Sequence, residues 1–379
     1  MTRCAGRNAA AAAAAAALAL AGCSSGSSGP TPAELVDLAN PKEVRVLWSA
    51  GTGSAGAFVF SPALAGDALY VAGRDGRVAR IDTANGREVW SVSTDVTLSG
   101  GVGASARTVV VATEEGEVIA LEADSGKPRW RGRVSSEVLA APTVGEGLVL
   151  VRSIDNRIFG LGEQDGKRRW VYQRAPGSLI LRAPAGVAIL GDSAFAGFSG
   201  GKLVAVSLAN GAQRWEATVA LPKGANELER IADVVGTPAL LGREVCAAAY
   251  QGRVACYEAA SGKQLWAREL SSVTGVSVDA RYAFVADERG TVHAFDRSNG
   301  ATVWKQEKLA NRQLSQPLPA GATVAVGDFE GQVHFLSRDS GEFVARYPAG
   351  STVRAAPVAL TPAGLVVQTL DGGLHALSP

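Results

Sequence analysis

From about residue 60 onward the chain is written in short apolar runs separated by glycine-bearing turns. Ala68-Leu69-Tyr70-Val71-Ala72 and Thr108-Val109-Val110-Val111-Ala112 each run toward an acidic-Gly pair, Asp75-Gly76 or Glu115-Gly116. An alternating segment follows, then a second turn, Asn85-Gly86 or Ser125-Gly126, then a segment bearing Trp90 or Trp130. Tight glycine turns between such runs predict β-hairpins. Upstream stands another short strand, often opened by proline, as at Ser61-Pro62, Ala141-Pro142, Thr237-Pro238, Gln316-Pro317 and Ala356-Pro357.

The whole unit recurs. Asp75 to Trp90 is matched by Glu115 to Trp130, Asp155 to Trp170, Gly200 to Trp215, Gln251 to Trp266 and Arg289 to Trp304. Glu330 to Ala345 repeats it without the Trp, and Asp371 to Leu377 is a copy cut short. Eight copies of about 42 residues, with four strands each, predict an all-β fold: an eight-bladed β-propeller of four-stranded antiparallel blades. The last copy lacks its outer strand. Val44-Arg45-Val46-Leu47-Trp48 supplies one, its Trp standing 42 residues before Trp90. The propeller is therefore expected to be closed by its N-terminal strand, which removes an open edge.

The first residues obey a different grammar. Arg3 and Arg7 precede an Ala/Leu run from Ala9 to Ala21 and then Gly22-Cys23. A charged start, an apolar core and small residues at the end describe a secretory signal peptide. The run is shorter than the roughly 20 apolar residues of a membrane span. Leu20-Ala21-Gly22-Cys23 resembles the lipobox of bacterial lipoproteins, in which the cysteine is lipidated and begins the mature chain. The expected organisation is a lipoprotein signal peptide over 1–22, a lipidated cysteine and flexible tether over 23–41 and the propeller over 42–379. By the same resemblance, Ser24 in place of an Asp directs the chain to the outer membrane, lipid-anchored and facing the periplasm. A net charge of +1 gives no electrostatic footprint for nucleic acid.

Candidate chemistry is sparse. His293, His334 and His375 occupy one equivalent position in three successive copies. Neighbouring sheets pack about 10 Å apart, whereas metal ligands lie about 2 Å from zinc, so the three cannot share one ion. The other copies carry Ala79, Ile119, Phe159, Val204 and Ala255 there, which makes the position a packing slot. Asp75, Asp155 and Asp371 lead turns. No phosphate cradle and no nucleophilic triad is visible. Catalytic residues, metal, cofactor and small-molecule substrate are all expected to be absent. Cys246 and Cys256 stand five residues either side of Gln251, opposite one another across a hairpin. A cross-strand disulfide and two buried thiols are both compatible with that placement.

The Trp repeat resembles that of pyrroloquinoline quinone (PQQ) enzymes and their non-enzymatic relatives. Such enzymes usually carry an adjacent cysteine pair, calcium-binding acids and long insertions, and this chain lacks that pattern. A periplasmic PQQ-dependent dehydrogenase-like protein and a generic periplasmic binding scaffold are the alternatives to the reading that follows.

Two Trp-to-Trp spacings are long, 45 and 51 against 38 to 42 elsewhere. Both excesses fall between an outer strand and the next inner strand, so both loops are expected side by side on one face. The first, Gln173 to Pro184, carries Leu179, Leu181 and Arg182; the second, Pro222 to Pro238, carries Leu228, Arg230, Ile231 and Asp233. Apolar anchors rimmed by charge describe a protein-binding surface. The Leu-x-Leu-Arg stretch, the Glu-Leu-Glu-Arg-Ile-x-Asp stretch, the lipobox and the eight copies together resemble the BamB family of outer-membrane protein assembly factors. The resemblance implies a non-enzymatic scaffold that binds BamA, the barrel-inserting subunit, through its periplasmic repeat domains. It also implies contact with other barrel-assembly subunits and with unfolded outer-membrane proteins. The implied contact residues are Leu179, Leu181, Arg182, Arg230 and Asp233. Val235 stands where the family pattern has a second acid.

Overall fold

The computed structural model describes residues 30–175, 179–360 and 364–379. The signal segment and Cys23 lie outside the described residues, as does Ser178 of the first long loop. The chain divides into two compact units, 1–32 and 33–379, and only 30–32 of the first are described.

The second unit is built of strands and turns. Blade 1 shows the plan: Ala63–Ala65 innermost, then Ala68–Ala72, Arg77–Asp82 and the outer strand Glu88–Ser93. The same four-stranded order recurs over 103–133, 143–173, 187–218, 234–269, 276–306 and 318–348 for blades 2 to 7. Blade 8 takes three strands from 358–378 and its outer strand from Arg45–Gly51. That strand pairs antiparallel with Gly373–Ser378, from Arg45 opposite Ser378 to Gly51 opposite Gly373. The N-terminal strand thus closes the ring.

The repeat has a packing cause. Second strands such as Thr108–Ala112 are buried throughout because they meet neighbouring blades on both faces, with half-buried positions at Leu148, Arg152 and Glu244. Buried clusters straddle the interfaces; Val110 and Val118 of blade 2, for example, pack with Val149 and Phe159 of blade 3. In every blade a β-bulge interrupts the outer pairing beside the Trp position, as between Arg80 and Ile81. The bulge bends the outer strand and re-aims its side chains. Leu47, Val89, Leu265 and Val303, the residues bulged out, are consequently exposed.

The adjoining Trp turns to the next blade. Trp90 Nε1 donates to Ala123 O at 3.0 Å, and its ring lies where a side chain on Gly126 would stand. Trp48, Trp130, Trp170, Trp215, Trp266 and Trp304 make the same bond to Thr83, Glu163, Leu208, Ala259, Arg297 and Arg338. The glycines opposite them adopt positive φ, 71° at Gly211 for example, so both turn geometry and the ring require glycine there. Blade 7 carries Ala345 at this position.

Residues 33–41, expected from the sequence to be tether, belong to the compact unit. They run along blade 7 from Ala33, whose N–H donates to Ala310 O at 2.8 Å, to Lys42, whose N–H donates to Val344 O at 2.9 Å. Ala33, Val36 and Leu38 are half-buried there. The boundary moves because these scattered apolar contacts follow neither a helical nor a strand period.

Candidate functional site

Because strands alternate in direction, the outer-to-inner connections and the Asp-Gly hairpins emerge on one face. The two long loops occupy this face, one joining blade 3 to blade 4 and the other joining blade 4 to blade 5. Asp233 fastens them together. Its Oδ2 accepts from Leu181 N at 2.6 Å and its Oδ1 from Gly200 N at 3.2 Å. Gly236 N adds a bond to Pro184 O at 3.3 Å. Asp233 is only 6% exposed. Burial raises its carboxyl above the ordinary value, opposed by the two N–H donors and by the charge of Arg152. Arg152 lies against the base of the first loop and donates to Ala185 O at 3.2 Å. Burial pulls its guanidinium down to about 10, opposed by Asp233. With an N–H donor on each carboxylate oxygen, Asp233 organises the loops and its carboxylate is turned inward.

The fastening presents other side chains outward. Leu179 is 44% exposed and Leu181 half-buried. Arg182 is exposed and reaches across the face, donating to Glu137 through Nε at 3.1 Å and to Glu114 at 3.2 Å. The hydrogen bond to Glu137 holds its pKa above the ordinary value. The second loop ends in a compact turn: Glu229 N donates to Asn226 Oδ1 at 3.0 Å, while the Glu229 carboxylate accepts from Ala225 N and Asn226. Arg230 is exposed and donates to Gly224 O. The turn sets Leu228 outward, 68% exposed, on the same face as the exposed Leu221 and Val273. Val235 is buried in the strand Val234–Leu241, so an acid there would face the packed interior.

The remaining candidates have structural partners. His293 and His334 pair with Asp287 and Asp328 of their own blades, at 2.9 and 3.0 Å. His375 meets Tyr347 of blade 7 at 3.1 Å. Among the described residues no three metal-ligating side chains converge. Cys246 and Cys256 are directly opposed across blade 5, with Cα atoms 4.0 Å apart, and are joined as a disulfide. They lie within the sheet, while the axial channel, of about 560 Å³, is lined by small residues such as Gly101, Ala140, Gly186 and Gly236 together with Asp287, Glu288, Gln313, Gln316 and Arg354.

Sequence reasoning missed Arg152, Glu114 and Glu137. Arg152 left a signal, since the equivalent positions of blades 1 and 2 are Ala72 and Ala112. A charged residue inside an otherwise apolar second strand marks the place where the repeat bends to hold the loops.

A propeller whose loop face is drawn together around exposed leucines defines the class: a β-propeller binding scaffold. The family described as "Outer membrane protein assembly factor BamB" matches residues 34–95 and 74–306. A relative of that name from Bordetella pertussis is 44% identical over 357 residues, covering 93% of this chain and 92% of its own length. The crystal structure of BamB from Moraxella catarrhalis superposes with a TM-score of 0.81 at 26% identity, over 89% of this chain and 100% of that one. The chain belongs to the BamB family of outer membrane protein assembly factors. It also resembles a quinohemoprotein alcohol dehydrogenase from Comamonas testosteroni, with a TM-score of 0.68 over 88% of this chain and 76% of that one; at 13% identity the likeness is one of fold alone.

Proposed function

We propose that this chain is a docking lipoprotein of the outer-membrane β-barrel assembly machinery. A lipid on Cys23 holds it at the membrane after residues 1–22 are removed, with the propeller in the periplasm. The joined loops bind BamA through its periplasmic repeat domains, alongside other assembly subunits, and help present unfolded barrel precursors. The role is positional: the propeller supplies a rigid surface and performs no bond chemistry.

The observation that supports this reading best is the Asp233 clasp. It joins the two insertions that break the repeat and leaves Leu179, Leu228 and Arg182 outward. Anchor residues on a rigid base lose little entropy on docking. The test is capture of the BamA periplasmic domains by the mature chain. Combined Leu179→Ala, Leu181→Ala and Arg182→Ala substitution is expected to abolish capture while leaving the fold intact; full capture by this variant overturns the assignment. Asp233→Ala is expected to weaken capture by freeing Leu181, even though Asp233 itself is turned inward. Mass measurement of the mature chain checks for an N-terminal diacylated or triacylated Cys23.

A further inference from the structure

Among the blades whose bulged residue is apolar, blade 7 differs at its outer edge. Its bulged residue, Val344, is half-buried, whereas Leu47, Val89, Leu265 and Val303 are exposed at the equivalent positions. The cover is the segment 33–42, laid antiparallel to the outer strand Phe343–Pro348. Two arginines hold it by main-chain atoms: Arg312 Nη1 donates to Ala33 O at 2.9 Å and Arg346 Nη2 to Val36 O at 3.1 Å. Arg312 is itself fixed by Asp328 at 2.7 Å and by Glu330, and Arg346 by His334 Nδ1 at 3.3 Å.

We propose that the outer edge of blade 7 is a binding site for an extended polypeptide segment, covered in the resting chain by its own residues 33–42. Three observations carry this. The bulge offers a main-chain acceptor at an otherwise exposed edge, as strand addition requires. The two guanidinium groups donate to carbonyl oxygens of the cover, a main-chain contact that any incoming sequence can supply, while Asp37 adds a charge beside Arg346. The cover forms no regular strand and packs through half-buried side chains, so a segment with fuller pairing displaces it. The incoming chain is an extended, alternating apolar–polar segment, the form taken by a barrel strand before insertion; this identity rests on the assembly reading, while the site itself does not.

The test uses the full mature chain and a variant in which 33–41 is replaced by Gly and Ser in equal number. The probe is a fluorescent synthetic peptide of alternating Val and Thr. A cover in cis competes at an effective concentration in the mM range, so its removal is expected to tighten probe binding by about tenfold or more. Arg346→Gln on the uncovered chain is expected to reverse the gain, and a probe N-methylated along one edge is expected not to bind. Equal binding by covered and uncovered chains, or undiminished binding of the methylated probe, overturns the site. Should the uncovered variant not fold, hydrogen exchange on the parental chain decides: saturating probe speeds exchange at the Ala33 and Lys42 amides if the site is real and leaves them unchanged if it is not. Neither readout involves BamA, so loss of BamA docking and loss of this site are separable.

Discussion

Seven of the ring's blade interfaces are closed by a Trp that donates to the following blade, and the interface between blades 7 and 8 is not. The bulge is present in blade 7 all the same, beside Ala345. What is missing lies across the interface. In blades 1 to 7 the third strand runs through a glycine turn into the fourth, and that turn receives the ring. In blade 8 the third strand, Gly373–Ser378, has Arg45–Gly51 from the start of the ring as its outer neighbour, with no turn between them. A Trp at 345 would have no turn to cap. Tyr347, His375 and Val44 close the seam instead. The Trp therefore belongs to the interface it seals and not to the blade that carries it.

The comparison can be broken at either side. The largest effect is expected from Trp170→Ala, which removes a buried ring and its bond to Leu208; a loss of about 3–5 kcal/mol in urea unfolding is expected. Replacing Cys246 and Cys256 together by Ala opens a short loop within a latched blade and is expected to cost about 2–3 kcal/mol. Ala345→Trp tests the explanation directly. With no turn to receive it, the ring is expected to destabilise by about 1–3 kcal/mol through overpacking; a gain in stability would refute the argument from the absent turn.

Smaller is a dependence on pH, carried on the face of blade 7 that meets blade 6, where Leu336 and Phe343 pack. His334 is buried among Asp328, Arg312, Arg346 and Phe343. Burial holds its pKa below 6.5, outweighing Asp328. The unfolded chain therefore takes up this proton first as pH falls below 6.5, and stability declines from there toward the depressed folded value. Thermal melts between neutral pH and pH ~5 are expected to fall more steeply for the parental chain than for His334→Gln. Arg182→Ala is expected to change stability least, by under about 1 kcal/mol, since its ion pairs are exposed.

The ring was legible because its determinants are local. Apolar second strands, glycine turns and Trp spacing each lie within a few residues, and the truncated last copy announced the closing strand. The candidate surface was legible only as insertions. Nothing near Asp233 in sequence reveals that its carboxylate meets Leu181 N from another loop, so its place between the two loops emerges only on folding. Arg152 was visible as a misfit in its strand, yet its meaning depends on Ala185 and Asp233, which only folding brings near. Residues 33–41 look like linker because Pro30, Pro32 and Pro41 punctuate them, and their contacts are to blade 7, almost the whole chain away.

Closure of blade 8 by Arg45–Gly51 also fixes an order of events. When the chain emerges N-terminus first, this strand is among the earliest to appear and the last to meet its mate, since Gly373–Ser378 follows only at the very end. Pairing across such a separation is slow to form. Until then the inner blades can assemble one upon another, but two edges stay open. The ring completes only once Gly373–Ser378 is free to pair, so the opening strand stays without its mate during that wait.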